Sequence, residues 1–255
     1  MILILTAADD EVRPWLEVCA LDSGTEPHPR LTPGELVEFS NSTPPIALLC
    51  TGSGDVALAG ALEQLGTIAP RIVLHVGLAG GLRSGLGEGD VLMVTAVSEG
   101  SLESSGGALP PARSLPDYLL NPLRSSLSEL PDRMAQGAVL TTQQFTGGPL
   151  GKRSFGMRSP YLAYVPDAST VRAACEELGI LYVGVRAVAQ SEDRPVPEGP
   201  GTTLAGRVRF GLNLVRNPGS ALDAVRGVRG TRRATAALSR AIPAALTAIE
   251  VHGRA

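Results

Sequence analysis

The sequence predicts an α/β fold in which a mixed, mostly parallel sheet is flanked by helices. Short apolar runs rich in β-branched residues, the pattern of buried strands, recur along the chain. Segments with apolar residues at helical spacing alternate with these runs, and a few strands follow one another directly in the middle. The 255 residues, 44% of them hydrophobic, are expected to form a single domain, 1–255, with a helical tail from about residue 196.

The first quarter of the chain supplies three strands and two helices. The strands are predicted at residues 2–6, 36–39 and 46–50. Asp9 or Asp10 can cap the helix that follows the first strand, and early carboxylates suit the dipole of a helix. Residues 22–33 are polar with Pro and Gly, which predicts a loop. The third strand turns at residues 51–55 into a helix whose small apolar residues share one face.

A glycine-rich stretch separates the next two apolar runs. Residues 72–76 (IVLHV) are predicted as a buried strand that breaks at residues 77–81 (GLAGG), and a second strand is predicted at 91–97. The glycines are either a tight turn between core strands or a place where the backbone approaches a ligand. Ligands of open α/β sheets bind at the carboxyl ends of strands, where these glycines lie.

The remainder of the chain continues the alternation. Strands are predicted at residues 138–142, 162–165 and 180–188. Helices are predicted at residues 119–130, 167–178, 204–215 and 234–249. Segments rich in Gly, Ser, Pro or polar residues are predicted as loops at 98–115, 147–160 and 189–201.

Composition limits the partners of the protein. A formal net charge of -3 without a basic stripe argues against a nucleic acid polymer as partner. The apolar start is too short for a signal peptide and no apolar run approaches membrane length, so we expect a cytoplasmic protein with no membrane partner. Three cysteines without metal-type spacing predict buried thiols, and no cofactor or metal is expected.

The segment Thr51-Gly52-Ser53-Gly54 follows a strand and opens a helix, as in a dinucleotide-binding fingerprint. The full pattern requires a further glycine where Ala57 stands, and no acidic partner follows in the right context. A close backbone turn near a small ligand is therefore the preferred interpretation.

Five stretches, taken in order, resemble the purine nucleoside phosphorylase and nucleosidase superfamily. They are Asp9-Asp10-Glu11-Val12, Thr51-Gly52-Ser53-Gly54, Val76-Gly77-Leu78-Ala79-Gly80-Gly81-Leu82 with Gly89-Asp90-Val91, Gln143-Gln144-Phe145, and Tyr182-Val183-Gly184-Val185-Arg186-Ala187-Val188. The hydrolytic branch, methylthioadenosine/S-adenosylhomocysteine nucleosidase and futalosine hydrolase, is the most similar. The resemblance covers about residues 1–190 and implies that family's fold and a homo-oligomer.

The resemblance implies cleavage of the N-ribosidic bond of a small-molecule nucleoside, purine or purine-like. By its position in the motif, Glu11 would orient the attacking water; the alternative is a solvated carboxylate in a first helical turn. The base is expected to contact Leu78, Ala79, Gly80, Phe145 and Thr146. Phe145 would stack on the base while the backbone of Thr146 reads its edge, unless Phe145 is a core residue.

One departure from the family concerns the sugar. Family members place Met-Glu at the start of the helix after the short strand, and that Glu holds the ribose hydroxyls. Counted back from Arg186 without gaps, the pair here is Pro166-Asp167. Asp167 keeps the charge with a shorter reach, and a plain helix cap is its alternative role. A shifted alignment would make Ser169 the candidate instead.

A second departure concerns the leaving base. Nucleosidases place Ser-Asp after the strand that carries Arg186, and the Asp donates a proton; here Ala189-Gln190 stands in its place. A glutamine does not transfer a proton as an acid, and futalosine hydrolases similarly carry an amide, Asn, at this position. Glu192 and Asp193 are possible substitutes, although solvated loop carboxylates are the preferred interpretation.

Three functions remain open from the sequence. The first is hydrolysis by a modified site with Glu11 and Gln190 as its catalytic pair, and the second is a non-catalytic protein that binds a nucleoside or scaffolds a partner. The third is phosphorolysis, for which the basic residues at 152, 153 and 158 would have to bind phosphate. Phosphorylases carry an Arg just before the glycine signature and a Ser after its first Gly, where His75 and Leu78 stand here. His75, in an apolar run, is predicted as a core histidine with its hydrogen bonds satisfied.

Overall fold

Strands and helices alternate through the part of the chain that the computed structural model describes, residues 1–23, 26, 28–39, 42, 44–52, 54–99, 116–142, 148–193 and 218–252. The strands are β1 (Ile2–Thr6), β2 (Leu36–Phe39), β3 (Ile46–Cys50), β4 (Ile72–Gly81), β5 (Val91–Glu99), β6 (Met134–Thr141), β7 (Tyr161–Val165) and β8 (Leu181–Gln190). The helices are α1 (Asp9–Ser23), α2 (Asp55–Ile68), α3 (Asp117–Ser128), α4 (Gly148–Arg158), α5 (Ala168–Glu177) and α6 (Pro218–His252).

These strands form one sheet in the order β2-β3-β1-β4-β7-β6-β5-β8. Five of the described strand pairs are parallel and three are antiparallel, so the predicted mixed, mostly parallel sheet is confirmed. Strand β4 also pairs with β8, so the segment from β4 to β8 closes on itself. This closure brings the ends of β4 and β8 together beside β1.

Helices cover the sheet and bury its apolar residues. Side chains of α1, α3 and α6 join those of β1, β3, β4 and β8 in the largest core cluster. Helices α2 and α5 pack on the opposite face of β1, β3 and β4. Burial of these faces is the main source of stability for such a layered fold.

Helix α6 is longer than the predicted 234–249. Its part Val225–Val251 is long and apolar enough to cross a membrane by length and composition alone, contrary to the expectation that no apolar run reaches that length. More than half of its most apolar window is buried inside the protein. Because the helix packs on β8, α3 and α1, it has the pattern of a core helix.

The glycine-rich stretch at 77–81 is not a turn. Strand β4 runs without a break from Ile72 to Gly81, so the prediction of a strand end at residue 76 was wrong. Strand β8 pairs along the length of β4, and β7 pairs with Gly80 and Gly81. Glycines do not by themselves favour an extended conformation. Backbone hydrogen bonds from the two neighbouring strands hold this segment extended.

A second correction concerns residues 147–160, predicted as a loop, where α4 forms instead. Glycine disfavours a helix, but contacts with the sheet offset this cost. Phe155 is buried and its ring stacks on that of Tyr161 with centroids 6.2 Å apart. At Gly156 the helix comes so close to the carbonyl group of Leu82 that a Cβ would overlap it. Tertiary packing therefore overrides local propensity in α4.

Several predicted features lie outside the described residues. They are Phe145 and Thr146, most of the predicted loop 98–115, and the predicted helix 204–215. These remain predictions.

Candidate active site

The carboxyl ends of β1, β4 and β8 meet because these strands are parallel neighbours. On β8, Arg186 lies opposite Gly77 of β4. Helix α1 starts three residues after the end of β1, which brings Glu11 in its first turn to the same edge. Asp167 lies directly before α5, and its carboxylate accepts a hydrogen bond from Arg186.

Glu11 turns its carboxylate into the protein. Oε2 accepts a hydrogen bond from the hydroxyl of Thr6 at 2.8 Å and from two backbone N–H groups of the β1–α1 turn at 3.2 and 3.3 Å. Oε1 accepts one from the backbone N–H of Leu78 at 3.1 Å. Burial raises the pKa of Glu11, while Arg186 and these hydrogen bonds oppose the rise. The alternative of a solvated carboxylate is therefore wrong.

Arg186 is a buried cation, with 2% of its surface exposed. Its Nη1 donates to the carbonyl oxygen of Val76 at 3.2 Å. Its Nη2 donates to Oδ1 of Asp167 at 3.3 Å and lies 2.7 and 2.6 Å from Nδ1 and Nε2 of His75. Among the residues described, Nε of Arg186 has no hydrogen-bond partner. Burial of this charge is tolerable because Glu11 and Asp167 lie beside it.

Asp167 occupies the N-cap position of α5 but makes no side-chain cap hydrogen bond. Its Oδ1 accepts from Arg186, and its Oδ2 lies 3.3 Å from Nε2 of His75. Burial opposes its charge, yet the charge of Arg186 and a hydrogen bond from His75 hold the pKa of Asp167 well below its usual range. A role as a plain helix cap is therefore wrong, and Asp167 is an ionised member of the site.

When Glu11 is ionised, this cluster carries an excess of negative charge. Two carboxylates, Glu11 and Asp167, face the one guanidinium of Arg186. Burial, followed by the charge of Arg186, lowers the pKa of His75, so its ring is neutral at pH 7. Such a site stabilises positive charge that develops in a ligand and repels an added dianion.

Two glycines of β4 allow the close packing of this site. Gly77 has φ of 153°, and a Cβ there would stand 2.5 Å from Nη1 of Arg186 and 3.0 Å from Oε2 of Glu11. A Cβ at Gly80 would overlap the ring of Tyr164. Side chains approach the strand at both positions, and the positive φ of Gly77 adds a second reason for glycine there; neither glycine is part of a turn.

We expect Gly77→Ala to lower the free energy of unfolding by about 1–3 kcal/mol, the usual cost of overpacking a tight site. The new Cβ would push apart the Arg186 guanidinium and the Glu11 carboxylate. Gly60→Ala is the matched control, because a Cβ there meets nothing within 4 Å and Ala favours the helix by about 0.5–1 kcal/mol. Urea unfolding of both variants tests the difference, and equal stabilities would contradict it.

Gln190 ends β8 opposite Gly80 and is half-buried. Its side-chain Oε1 has no hydrogen-bond partner among the described residues. In the following loop Glu192 is buried, and its Oε1 lies 3.5 Å from Nε of Arg153, so the interpretation of Glu192 as a solvated carboxylate was wrong. Asp193 is exposed, as expected for a loop carboxylate.

The basic residues of α4 each have their own environment. Lys152 is buried with its Nζ 5.4 Å from the centroid of the Tyr164 ring, and burial lowers its pKa to about 8. Arg153 pairs with Glu192. Arg158 donates from Nε to the carbonyl oxygen of Ser154 at 3.2 Å, within its own helix.

The predicted base-binding residues fall partly within the described structure. Leu78, Ala79 and Gly80 form the end of β4, where the N–H of Leu78 contacts Glu11. Pro166 is exposed directly before Asp167. The structure thus brings Glu11 and the end of β4 together, while Phe145 and Thr146 lie outside the described residues.

Sequence reasoning missed three members of the site. Arg186 was used only as a marker of its strand, and Tyr182 was not considered. His75 is buried with partners, as predicted, but two of these partners are Asp167 and Arg186. The available signal was an arginine within the apolar run 180–188, since a buried cation requires carboxylates close by.

The chain is similar in sequence to a known family and to nucleosidases from two bacteria. Residues 1–203 match the family model described as the phosphorylase superfamily. A 5'-methylthioadenosine/S-adenosylhomocysteine nucleosidase of Actinobacillus succinogenes is 29% identical over 160 residues, which is 58% of this chain and 69% of that protein. A nucleosidase of the same name from an Exiguobacterium species is 25% identical over 161 residues, 58% of this chain and 68% of that one.

Solved structures share the fold along most of the chain. A 5'-methylthioadenosine/S-adenosylhomocysteine nucleosidase of Neisseria meningitidis, in complex with methylthio-immucillin-A, superposes with a TM-score of 0.67 at 17% identity and covers 96% of this chain and 97% of its own. Futalosine hydrolase of Helicobacter pylori gives a TM-score of 0.57 at 17% identity, covering 90% of this chain and 96% of its own. At these identities the likeness concerns the fold.

Proposed function

Since the chain belongs to the phosphorylase superfamily, we propose that it hydrolyses the N-ribosidic bond of a purine or purine-like nucleoside, of the methylthioadenosine or futalosine type. The observation that carries the proposal is the buried carboxylate of Glu11, which receives four hydrogen bonds beside Arg186. The sequence relatives, nucleosidases at 25–29% identity, support this substrate class.

Glu11 is proposed as the general base. During N-ribosidic cleavage the ribosyl carbon becomes cation-like while the bond to the base nitrogen breaks. A water held by Glu11 attacks this carbon, and its proton passes to the carboxylate. The raised pKa of Glu11 suits a proton acceptor, and the excess of negative charge at the site stabilises the developing cation.

Asp167 is proposed to hold the sugar. Its carboxylate stays ionised, and 16% of its side chain remains exposed at the site. Arg186 and His75 each approach one carboxylate oxygen, which leaves further lone pairs to accept hydrogen bonds from ribose hydroxyls. This contact lets Asp do the work of the longer Glu, provided that the sugar sits close to the start of α5.

The base is proposed to leave with the help of a hydrogen bond and not of a full proton transfer. It would lie over Leu78, Ala79 and Gly80. The expectation from the sequence that Phe145 stacks on the base and that the backbone of Thr146 reads its edge stays a prediction, since both residues lie outside the described structure. The amide N–H of Gln190, at the end of β8 opposite Gly80, would donate to a nitrogen of the base. A substrate whose base leaves readily as an anion, or is protonated by solvent, suits such a modified site.

Phosphorolysis is less well supported by the same contacts. Within the described part of the chain, a phosphate dianion beside Glu11 and Asp167 would face two carboxylates and the single guanidinium of Arg186. The basic residues of α4 contact Tyr164, Glu192 and a carbonyl group of their own helix.

The test is release of free base from methylthioadenosine, S-adenosylhomocysteine, futalosine and inosine, each with and without phosphate. We expect turnover of at least one nucleoside without phosphate, and no stimulation by phosphate. Turnover that requires phosphate would replace hydrolysis with phosphorolysis. A ligand-induced rise in melting temperature without turnover would indicate a binding protein, and indifference to all four nucleosides would reject the proposal for these substrates.

A further inference from the structure

A histidine that the proposed reaction does not use lies fully buried behind Asp167. His75 stands on β4 between apolar neighbours, opposite Gly184 of β8. Its Nε2 lies 3.3 Å from Oδ2 of Asp167, and its Nδ1 lies 3.2 Å from the hydroxyl oxygen of Tyr182. A polar ring in this environment costs stability unless both nitrogens have partners.

The glycine opposite the ring makes this contact possible. A Cβ at Gly184 would stand 3.0 Å from the hydroxyl oxygen of Tyr182 and 2.8 Å from Cβ of Val94. Because Gly184 has no Cβ, the Tyr182 ring can pack against the His75 ring, edge to face, with centroids 5.8 Å apart. The segment Tyr182-Val183-Gly184 thus places one hydroxyl against one ring nitrogen.

The partners determine which nitrogen of His75 carries the proton. Burial raises the pKa of Tyr182 to about 12, so its hydroxyl stays protonated, and the neutral ring of His75 has a single N–H. Arg186 lies equally close to both ring nitrogens, 2.7 Å from Nδ1 and 2.6 Å from Nε2, so it does not select between the tautomers. When Nδ1 accepts from the hydroxyl of Tyr182, Nε2 carries the proton and donates to Asp167. The other tautomer would set a lone pair of Nε2 against a carboxylate.

Asp167 is therefore held at both oxygens, at Oδ1 by Arg186 and at Oδ2 by His75. A short side chain fixed at both oxygens presents its remaining lone pairs in one direction, which is what recognition of a sugar diol requires. Because Arg186 also lies beside Glu11, its loss would disturb both carboxylates directly, whereas the carboxylate that His75 contacts is that of Asp167.

We propose that Tyr182 and His75 are positioning residues that orient Asp167, so that the site selects nucleosides with an intact ribose diol over their 2′-deoxy counterparts. The inference rests on the proposed hydrolysis for its kinetic part. Its hydrogen-bond part concerns the protein alone and is measurable without turnover.

The kinetic test compares His75→Phe, which keeps a ring without a donor, with His75→Gln, whose amide N–H can take the place of Nε2–H. For a ribosyl nucleoside we expect His75→Phe to raise KM by about 10-fold or more, with kcat changed less than about 3-fold, because positioning of the sugar contact is lost. KM for the 2′-deoxy nucleoside, which keeps only the 3′-hydroxyl of the diol, should rise less. His75→Gln should recover most of the loss, and His28→Phe, at a loop position with its ring against a backbone carbonyl, is the matched control.

An equal rise of KM for both nucleosides, or no rise, would overturn the inference while the proposed hydrolysis stands. If the parent turns over no nucleoside, the proposed function and the sugar selection both fail.

The hydrogen-bond part is tested separately by ¹⁵N NMR, which shows which imidazole nitrogen of His75 carries the proton. The chain has three histidines, so the imidazole signals are few. We expect one tautomer with the proton on Nε2 of His75, and a mixture in Tyr182→Phe. A proton on Nδ1 in the parent would overturn the positioning network, and Tyr182→Phe keeps the test open should His75→Phe not fold.

Discussion

We expect Glu11→Gln to lower kcat by about 10²–10⁴-fold, which is the range for loss of a general base. The substitution keeps the shape of the side chain and removes its negative charge. An amide still accepts hydrogen bonds through its oxygen, so contacts at Oε2 with Thr6 and the β1–α1 turn can persist. It no longer accepts the proton of water, so binding should be retained while turnover is lost.

The same role predicts a dependence on pH. Burial raises the pKa of Glu11, and the proposed base must be ionised to act. The kcat/KM of the parent should therefore fall as pH decreases through this raised pKa, with an inflection above the ordinary range of a glutamate. A rate profile from pH 4 to 8 locates the inflection, and its absence would contradict the assignment.

Glu17→Gln is the matched control for this experiment. It makes the same chemical change two turns or so further along α1, at an exposed position. We expect it to keep the parental kcat and melting temperature. If Glu11→Gln also kept kcat within about 3-fold of the parent, Glu11 would have no role as a base.

The apolar strands could be predicted from sequence because their signal is local. The bounds of β1, β2 and β3 agree with the predictions, since each is a short run bounded by polar or turn residues. The closure of β4 on β8 could not be read in the same way. Paired residues of the two strands, such as His75 and Gly184, are more than a hundred positions apart in sequence. No local pattern predicts such a pairing.

The glycine stretch and α4 show where local reasoning fails. Gly77 and Gly80 predict a break in the strand, whereas their actual role is to leave room for Arg186 and Tyr164. Those neighbours come from β8 and β7, so the physical reason for each glycine lies far away in sequence. The helix at 148–158 is likewise stabilised by contacts with Tyr161 and Leu82 that its composition does not reveal.

The candidate site was predicted residue by residue but not as a network. Counting back from Arg186 pointed to Asp167, and the structure shows that the two side chains are in contact. The sequence did not show that Arg186 joins Asp167 to the neighbourhood of Glu11, because that requires three elements to meet at one edge of the sheet. A buried arginine in an apolar strand therefore carries more information about a site than its strand context suggests.

Arg186→Met tests this network and is expected to have the second large effect. It removes the cation that lies against Asp167 and beside Glu11, and leaves two buried carboxylates without a counter-charge. Breaking a buried pair in this way costs about 3–5 kcal/mol of unfolding free energy at neutral pH. Nucleosidase activity should fall by at least the factor expected for Glu11→Gln, because both carboxylates lose their place.

The loss of stability in Arg186→Met should depend on pH. In the parent the pKa of Asp167 is depressed, so its contribution to stability is present above the unfolded pKa and is lost as pH falls through the folded one. Without Arg186 the pKa of each buried carboxyl should rise above its unfolded value. The variant should then lose stability as pH rises, so the gap between parent and variant should be smaller at pH 5 than at pH 8.

Arg240→Met is the control, because it also removes an arginine paired with a carboxylate, but at the surface, where Nε and Nη2 of Arg240 each donate to an oxygen of Asp132 at 2.7 Å. It should cost no more than about 1 kcal/mol at either pH. Arg186→Lys, which keeps the charge without the planar fork, should fall between parent and Arg186→Met and serves if the latter does not fold. Urea unfolding at pH 5 and pH 8 separates these outcomes. Equal losses for Arg186→Met and Arg240→Met would mean that the buried guanidinium does not hold the two carboxylates together.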